Sequence, residues 1–247
     1  MAIKKILVSQ ATPKAVSAYE ELSKKYGVQF EFVPFYKIEP VSSIEMRSQH
    51  CNPLDYDAIV FSSRSTIDAF FSLCEELRVK IPEDMKYFCT NEKVAMYLQK
   101  HIVYRKRKIF FGDGTPSSVL GLITAKHKGD KFLIITADSL NSSITKAFDT
   151  TGYKHSSAMF AKSVPAAIGN VAIYDFDLIV MYNKADVASL FKNFPEYKQG
   201  KTAILTYGSE SLKKAATDSG LEISLSAPSA EHPSVISAIE HFVKSNK

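Results

Sequence analysis

The segment Tyr56-Asp57-Ala58-Ile59-Val60-Phe61 returns later in the chain as Phe176-Asp177-Leu178-Ile179-Val180-Met181. Each copy is an aromatic residue, an aspartate and a short apolar run. Each is followed by a hydrophilic turn and then by apolar residues at helical spacing. Ser62 to Thr66 precede Ile67, Phe70, Phe71, Cys74 and Leu77, while Tyr182 to Asp186 precede Val187, Leu190 and Phe191. An apolar run without alternation marks a strand covered on both faces, which points to a parallel sheet flanked by helices. Two more pairs match. Lys86-Tyr87-Phe88-Cys89-Thr90-Asn91 resembles Lys201-Thr202-Ala203-Ile204-Leu205-Thr206-Tyr207-Gly208, and Lys5-Ile6-Leu7-Val8-Ser9 resembles Lys131-Phe132-Leu133-Ile134-Ile135-Thr136. Three pairs in the same order predict a duplicated α/β domain.

A chain of 247 residues has room for two such domains, since domains commonly run to about 100–150 residues. The clearest predicted strands are Ile6–Val8, Ala58–Phe61, Tyr87–Cys89, Phe132–Ile135, Leu178–Met181 and Ala203–Leu205. Two proline-bounded extended stretches, Val33–Pro40 and Ser157–Pro165, are the expected crossings between domains, because proline disfavours helix at and before its position. The working site is expected in the cleft between the domains.

Several classes are set aside by what the sequence lacks. No apolar run reaches the roughly 20 residues of a membrane span, so no membrane association is expected. Ile6-Leu7-Val8 stops at Ser9-Gln10 and reads as a first strand rather than a signal peptide. Cys51, Cys74 and Cys89 are irregularly spaced, which predicts free thiols in a reducing, cytoplasmic setting. The histidines show no ligand spacing, and no metal is expected. A formal charge of +5 suits an anionic ligand without requiring nucleic acid. Arg105-Lys106-Arg107-Lys108 reads as a polar loop entering a strand at Ile109, and nucleic-acid binding is not expected.

In open parallel sheets, ligands bind beyond the carboxyl ends of the strands, where helix N-termini offer unpaired N–H groups. That rule selects Ser9 and four turns: Ser62–Thr66, Thr90–Glu92, Tyr182–Asp186 and Tyr207–Ser211. Within them, Ser63, Arg64, Thr90, Asn91, Asn183, Lys184, Gly208, Ser209 and Ser211 are candidate substrate-binding residues. Helix capping alone would favour the same residue types. No catalytic residue is singled out. Gly112-Asp113-Gly114-Thr115 lacks the Gly-Lys-Ser of a phosphate loop, and Ser209 has no evident histidine or acid partner for hydrolysis.

Taken together, these residues resemble the uroporphyrinogen-III synthase family, particularly its Bacteroidetes-type branch. The resemblance rests on Ile6–Gln10, Pro34-Phe35, Ile59–Arg64, Asp68 with Phe70-Phe71, Lys86–Cys89, Tyr97–Lys100 and Tyr104–Phe110. In the second half it rests on Asn193-Phe194-Pro195, Gly220-Leu221, Ala227-Pro228 and Pro233-Ser234. It implies two flavodoxin-like, parallel-sheet domains joined by two extended crossing strands. The first domain would be 1–35 with 166–247, the second 41–156, and the crossings 36–40 and 157–165.

The resemblance further implies cyclisation of hydroxymethylbilane, a linear tetrapyrrole polycarboxylate, to uroporphyrinogen III with inversion of ring D and loss of water. It implies a lyase of heme and porphyrin biosynthesis that needs no cofactor, and a monomer is expected. The sequence departs from the family pattern at three places: Phe160 where a tyrosine is common, Val94 where a threonine is usual, and Asn183 where a Ser-Pro-Ser-Gly type of turn is usual. These departures define an alternative, a catalytically silent homologue binding a tetrapyrrole or another polyanion as a sensor or accessory protein.

Overall fold

A computed structural model describes residues 3–13, 15–208 and 210–246. Along the chain it runs β1 (Lys5–Val8), α1 (Ser17–Tyr26), β2 (Gln29–Phe32), β3 (Tyr36–Pro40), α2 (Ser43–Ser48), β4 (Ala58–Phe61), α3 (Arg64–Glu76), β5 (Lys86–Cys89) and α4 (Glu92–Tyr97). It continues with β6 (Ile109–Phe111), α5 (Pro116–Gly121), β7 (Phe132–Ala137), α6 (Ser143–Asp149), β8 (His155–Pro165), β9 (Leu178–Met181), α7 (Lys184–Asn193), β10 (Ala203–Tyr207), α8 (Glu210–Asp218), β11 (Ile223–Ala227) and α9 (Val235–Ser245). Strands and helices alternate, as the apolar runs and helical spacings predict. No helix among the described residues is long and apolar enough to cross a membrane.

The chain divides into two compact units. Unit 1 is Met1–Lys37 with Val164–Lys247, and unit 2 is Ile38–Ser163. Among the described residues, unit 1 has a five-stranded sheet of order β11-β10-β9-β1-β2 and unit 2 a six-stranded sheet of order β3-β8-β7-β4-β5-β6. Read from β6, the second sheet matches the first strand for strand, with β3 as an addition. The duplicated segments therefore pair across the sequence. β1 lies beside β9, with Ile6 opposite Leu178, as β7 lies beside β4, with Phe132 opposite Ala58. The repeated aspartates do the same work in each sheet. Asp57 accepts the Lys131 N–H at 2.8 Å, and Asp177 accepts the Lys4 and Lys5 N–H groups at 2.7 and 3.0 Å.

Central strands are buried on both faces, and alternate residues feed opposite layers. In unit 2, Ile59, Phe61, Leu133 and Ile135 join one core cluster, while Ala58, Val60, Phe132 and Ile134 join another. In unit 1, Leu7, Ile179 and Met181 face one layer and Ile6, Val8, Leu178 and Val180 the other. Full burial of such a side chain stabilises by about 1.5–3 kcal/mol relative to exposure.

The expected strand across Val33–Pro40 is shorter in the structure, starting only at Tyr36. Pro34 has no N–H to give a ladder. Phe35 is wholly buried in unit 1, where its carbonyl accepts the Ala166 N–H at 2.8 Å. The second extended stretch is longer than expected, beginning at His155. The basic run does lead into a strand, β6.

Candidate functional site

Helices begin at the carboxyl ends of the parallel strands in each unit, so N–H groups and positive dipole ends gather there. In unit 2, Ser63 stands extended between β4 and α3 as the N-cap. Its hydroxyl accepts the Thr66 N–H at 3.2 Å, and the Thr66 hydroxyl accepts the Ser63 N–H at 3.3 Å. Thr90 closes β5 and donates its hydroxyl to the Ser62 carbonyl at 3.1 Å, tying one turn to the next. Asn91 caps α4 by accepting the Val94 N–H at 3.1 Å. Ser63, Arg64, Thr90 and Asn91 are thus brought to one end of one sheet.

Arg64 is the exposed first residue of α3, and its guanidinium lies 5.4 Å from the centre of the Tyr97 ring. Tyr97 donates to Asp68 at 2.8 Å, and His101 Nε2 and Lys100 Nζ lie 2.8 and 3.3 Å from the same carboxylate. Burial pushes the Asp68 carboxyl up, but the bonds from Tyr97, His101 and Lys100 outweigh it and leave it below its ordinary value. Arg64, Glu92, Lys93, Met96 and Tyr97 line an open cavity of about 450 Å³. A guanidinium braced on an aromatic face and open to a cavity is suited to a carboxylate.

In unit 1, Asn183 caps α7 by accepting the Ala185 N–H at 3.1 Å. The box is closed by Asp186, which is fully buried. One carboxylate oxygen accepts the Tyr182 N–H at 2.7 Å, the Asn183 N–H at 3.0 Å and the Ser9 hydroxyl at 2.7 Å. The other, Oδ1, meets no hydrogen-bond partner among the described residues. Burial pushes this carboxyl above its ordinary value, opposed by the three donors. Lys184 is exposed at the first position of α7, as Arg64 is on α3.

Ser9 is buried, and its hydroxyl is committed to Asp186, so it positions the neighbouring turn. Gly208 has φ +105°, a conformation that favours glycine, and its N–H donates to the Ala227 carbonyl at 2.8 Å. Ser209 lies outside the described residues. Ser211 is exposed in the first turn of α8. Phe160 points into the unit 2 core, with its ring 5.1 Å from that of Phe70, and Val94 is buried in the same cluster.

Sequence reasoning did not single out Asp186 or the Asp68–Tyr97 pair. Asp186 had a local signal, since an acid three residues after an N-cap is capping-box spacing. Its bond to Ser9 and the meeting of Asp68 with Tyr97 join residues far apart in the chain and have none.

A family model described as Uroporphyrinogen-III synthase HemD matches residues 17–237. Among solved structures, the chain is similar to a uroporphyrinogen-III synthetase from Helicobacter pylori, at TM-score 0.56 and 13% identity over 98% of this chain and 100% of that one. It is also similar to a mutant uroporphyrinogen III synthase from Thermus thermophilus, at TM-score 0.49 and 15% identity over 98% of each chain. No protein of curated function matches the sequence. At such identities the Helicobacter likeness bears on the fold alone.

Proposed function

The chain belongs to the uroporphyrinogen-III synthase family, and on that premise we propose that it closes hydroxymethylbilane into uroporphyrinogen III, inverting ring D with loss of water. The reaction asks little of the protein by way of acid–base groups and much by way of positioning. Loss of the hydroxyl leaves a reactive cation, and the geometry in which the chain is held decides which carbon it meets. Fixing reacting atoms in a near-attack arrangement contributes about 7–11 kcal/mol in favourable cases.

In this reading substrate carboxylates are met by the groups of the helix-start turns. Arg64 and Lys184 supply cations. Ser63, Thr90, Asn91, Asn183, Gly208, Ser209 and Ser211 supply N–H groups, hydroxyls and amides, and Ser9 acts through Asp186. Burial pushes the Cys74 and Cys89 thiols up to about 12, away from the reactive thiolate form. The reading carries with it a cytoplasmic monomer of heme biosynthesis that uses no cofactor. The observation that supports it most is the family match over 17–237, which takes in every one of these turns except the Ser9 strand end.

The test generates hydroxymethylbilane in situ, adds the protein, and separates the uroporphyrin isomers after oxidation. Isomer III above the no-protein control is expected. Isomer I alone, the spontaneous product, would reject the synthase and leave a polyanion-binding protein on a synthase scaffold.

A further inference from the structure

The cations around the Arg105–Lys108 run take no part in the function proposed above. They stand at the amino ends of the unit 2 strands, the opposite end of the sheet from the Ser63 and Asn91 turns. Arg105, Arg107 and Lys108 lead into β6, Lys86 opens β5, and Tyr56 and Asp57 precede β4. Two cavities lie here. The smaller, about 180 Å³, is lined largely by apolar residues, Met85, Ile102 and Val103 among them, together with Glu83, Arg105 and Lys108. The larger, about 480 Å³, is lined by Tyr56, Lys86, Arg107, Lys108, Lys126 and His127 among others. Pro82, Met85 and Lys108 line both, so an apolar hollow adjoins a basic one. The larger cavity falls in the range of small-ligand pockets, about 300–1,000 Å³.

Part of this charge is already satisfied. Glu83 holds Arg105 at 2.7 Å, Asp130 holds Lys86 at 2.7 Å, and Lys108 donates to the Glu83 carbonyl. Arg107 and Lys126 differ. Both are exposed, and among the described residues neither has a carboxylate within ion-pair distance. With Lys86 already held by Asp130, the larger cavity sets Arg107, Lys108 and Lys126 against Asp57 and Asp84. Val103, in the apolar hollow, is 79% exposed.

We propose that this end of unit 2 binds a small phosphate monoester with an apolar body, its headgroup between Arg107 and Lys126 and its body in the hollow lined by Met85, Ile102 and Val103. The two cations without an ion-pair partner among the described residues, Arg107 and Lys126, suit a phosphate monoester, which carries about −1.5 to −2 at neutral pH. Guanidinium groups meet phosphate oxygens through paired N–H donors, and an ammonium adds a point charge. The apolar hollow selects for the body by removing its surface from water. Lying at the other end of the sheet, the site takes its ligand without competing with the ring-closing substrate.

Naphthyl phosphate is the probe, titrated calorimetrically into the full chain, with inorganic phosphate and naphthol as its separate halves. One naphthyl phosphate per chain is expected, about tenfold or more tighter than either half, since body and headgroup contribute together. Joint substitution Arg107→Glu and Lys126→Glu is expected to weaken binding by about tenfold or more through charge reversal. Both residues are exposed, so thermal unfolding and ring closure should stay at the wild-type level. Arg64→Ala should leave probe binding unchanged. The proposal is overturned by absence of binding, by undiminished binding in the double variant, by loss of binding in Arg64→Ala, or by phosphate alone binding as tightly as the ester.

Discussion

After β4, Ser63 caps α3 with a hydroxyl box closed by Thr66; after β9, Asn183 caps α7 with an acidic box closed by Asp186. The two turns occupy equivalent places in matching sheets and follow matching sequences. They differ in what lies behind them. Among the described residues, the Thr66 side chain bonds within its own turn, to Ser63. Asp186 reaches the neighbouring strand end at Ser9 as well as two N–H groups of its own turn. The unit 1 turn is therefore anchored through its own closing side chain, whereas the unit 2 turn is tied to its neighbour by Thr90, which donates to the Ser62 carbonyl, and by Arg64, which leans on Tyr97. Duplication kept the place of the turn and let its support diverge.

The comparison breaks most directly at the closing residue. Asp186→Ala leaves two half-buried N–H groups and the buried Ser9 hydroxyl without an acceptor and is expected to cost about 3 kcal/mol, against about 1 kcal/mol for Thr66→Ala. Urea unfolding of both variants measures the difference, and equal losses would erase the contrast. The charge itself is tested by pH. Because the folded Asp186 carboxyl sits above its ordinary value, the folded state holds this proton more tightly than the unfolded chain. Stability from this group is full below about pH 4 and declines as pH rises toward the raised value. Asp186→Asn should remove that decline, which unfolding curves at several pH values would reveal.

Caps come next in size. Ser63→Ala is expected to cost about 1 kcal/mol, the usual value of an N-cap, with Asn183→Ala no smaller because its turn is tied to Asp186. Smallest in stability are the exposed cations. Arg64→Ala and Lys184→Ala should each shift unfolding by less than about 0.5 kcal/mol. In the isomer assay Arg64→Ala should raise KM about tenfold, the worth of one charge-assisted contact, with kcat little changed. An unchanged KM would detach the Arg64 turn from the substrate.

What could be read from the sequence follows from how each element is buried. Leu178–Met181 and Ala58–Phe61 are legible because a strand covered on both faces has no polar position to interrupt it. β2, with Gln29 and Glu31 alternating with Phe30 and Phe32, and β11, with serines in alternation, lie at the edges of the unit 1 sheet and give no such run. The caps at Ser63, Asn91 and Asn183 are legible because capping is local. The bonds Ser9–Asp186 and Tyr97–Asp68 are not, because each depends on tertiary placement. Phe160 shows a further limit. Its identity is plain in the sequence, but that it fills a core against Phe70 appears only once β8 is set beside β7.

The pairing of β1 with β9 sets an order of events during synthesis. Unit 2 is continuous from Ile38 to Ser163, so all its strands emerge before β9 does. Unit 1 is not continuous. Lys5 waits for Asp177, 172 residues later, and the sheet between them cannot close until the final third of the chain is made. Contacts this distant in sequence form slowly, and although β2 can cover one edge of β1 early, an apolar strand with its other edge open is a hazard while it waits. A ribosome making this protein therefore delivers every strand of unit 2 first, with one edge of Ile6, Leu7 and Val8 left for the later-made β9 to cover.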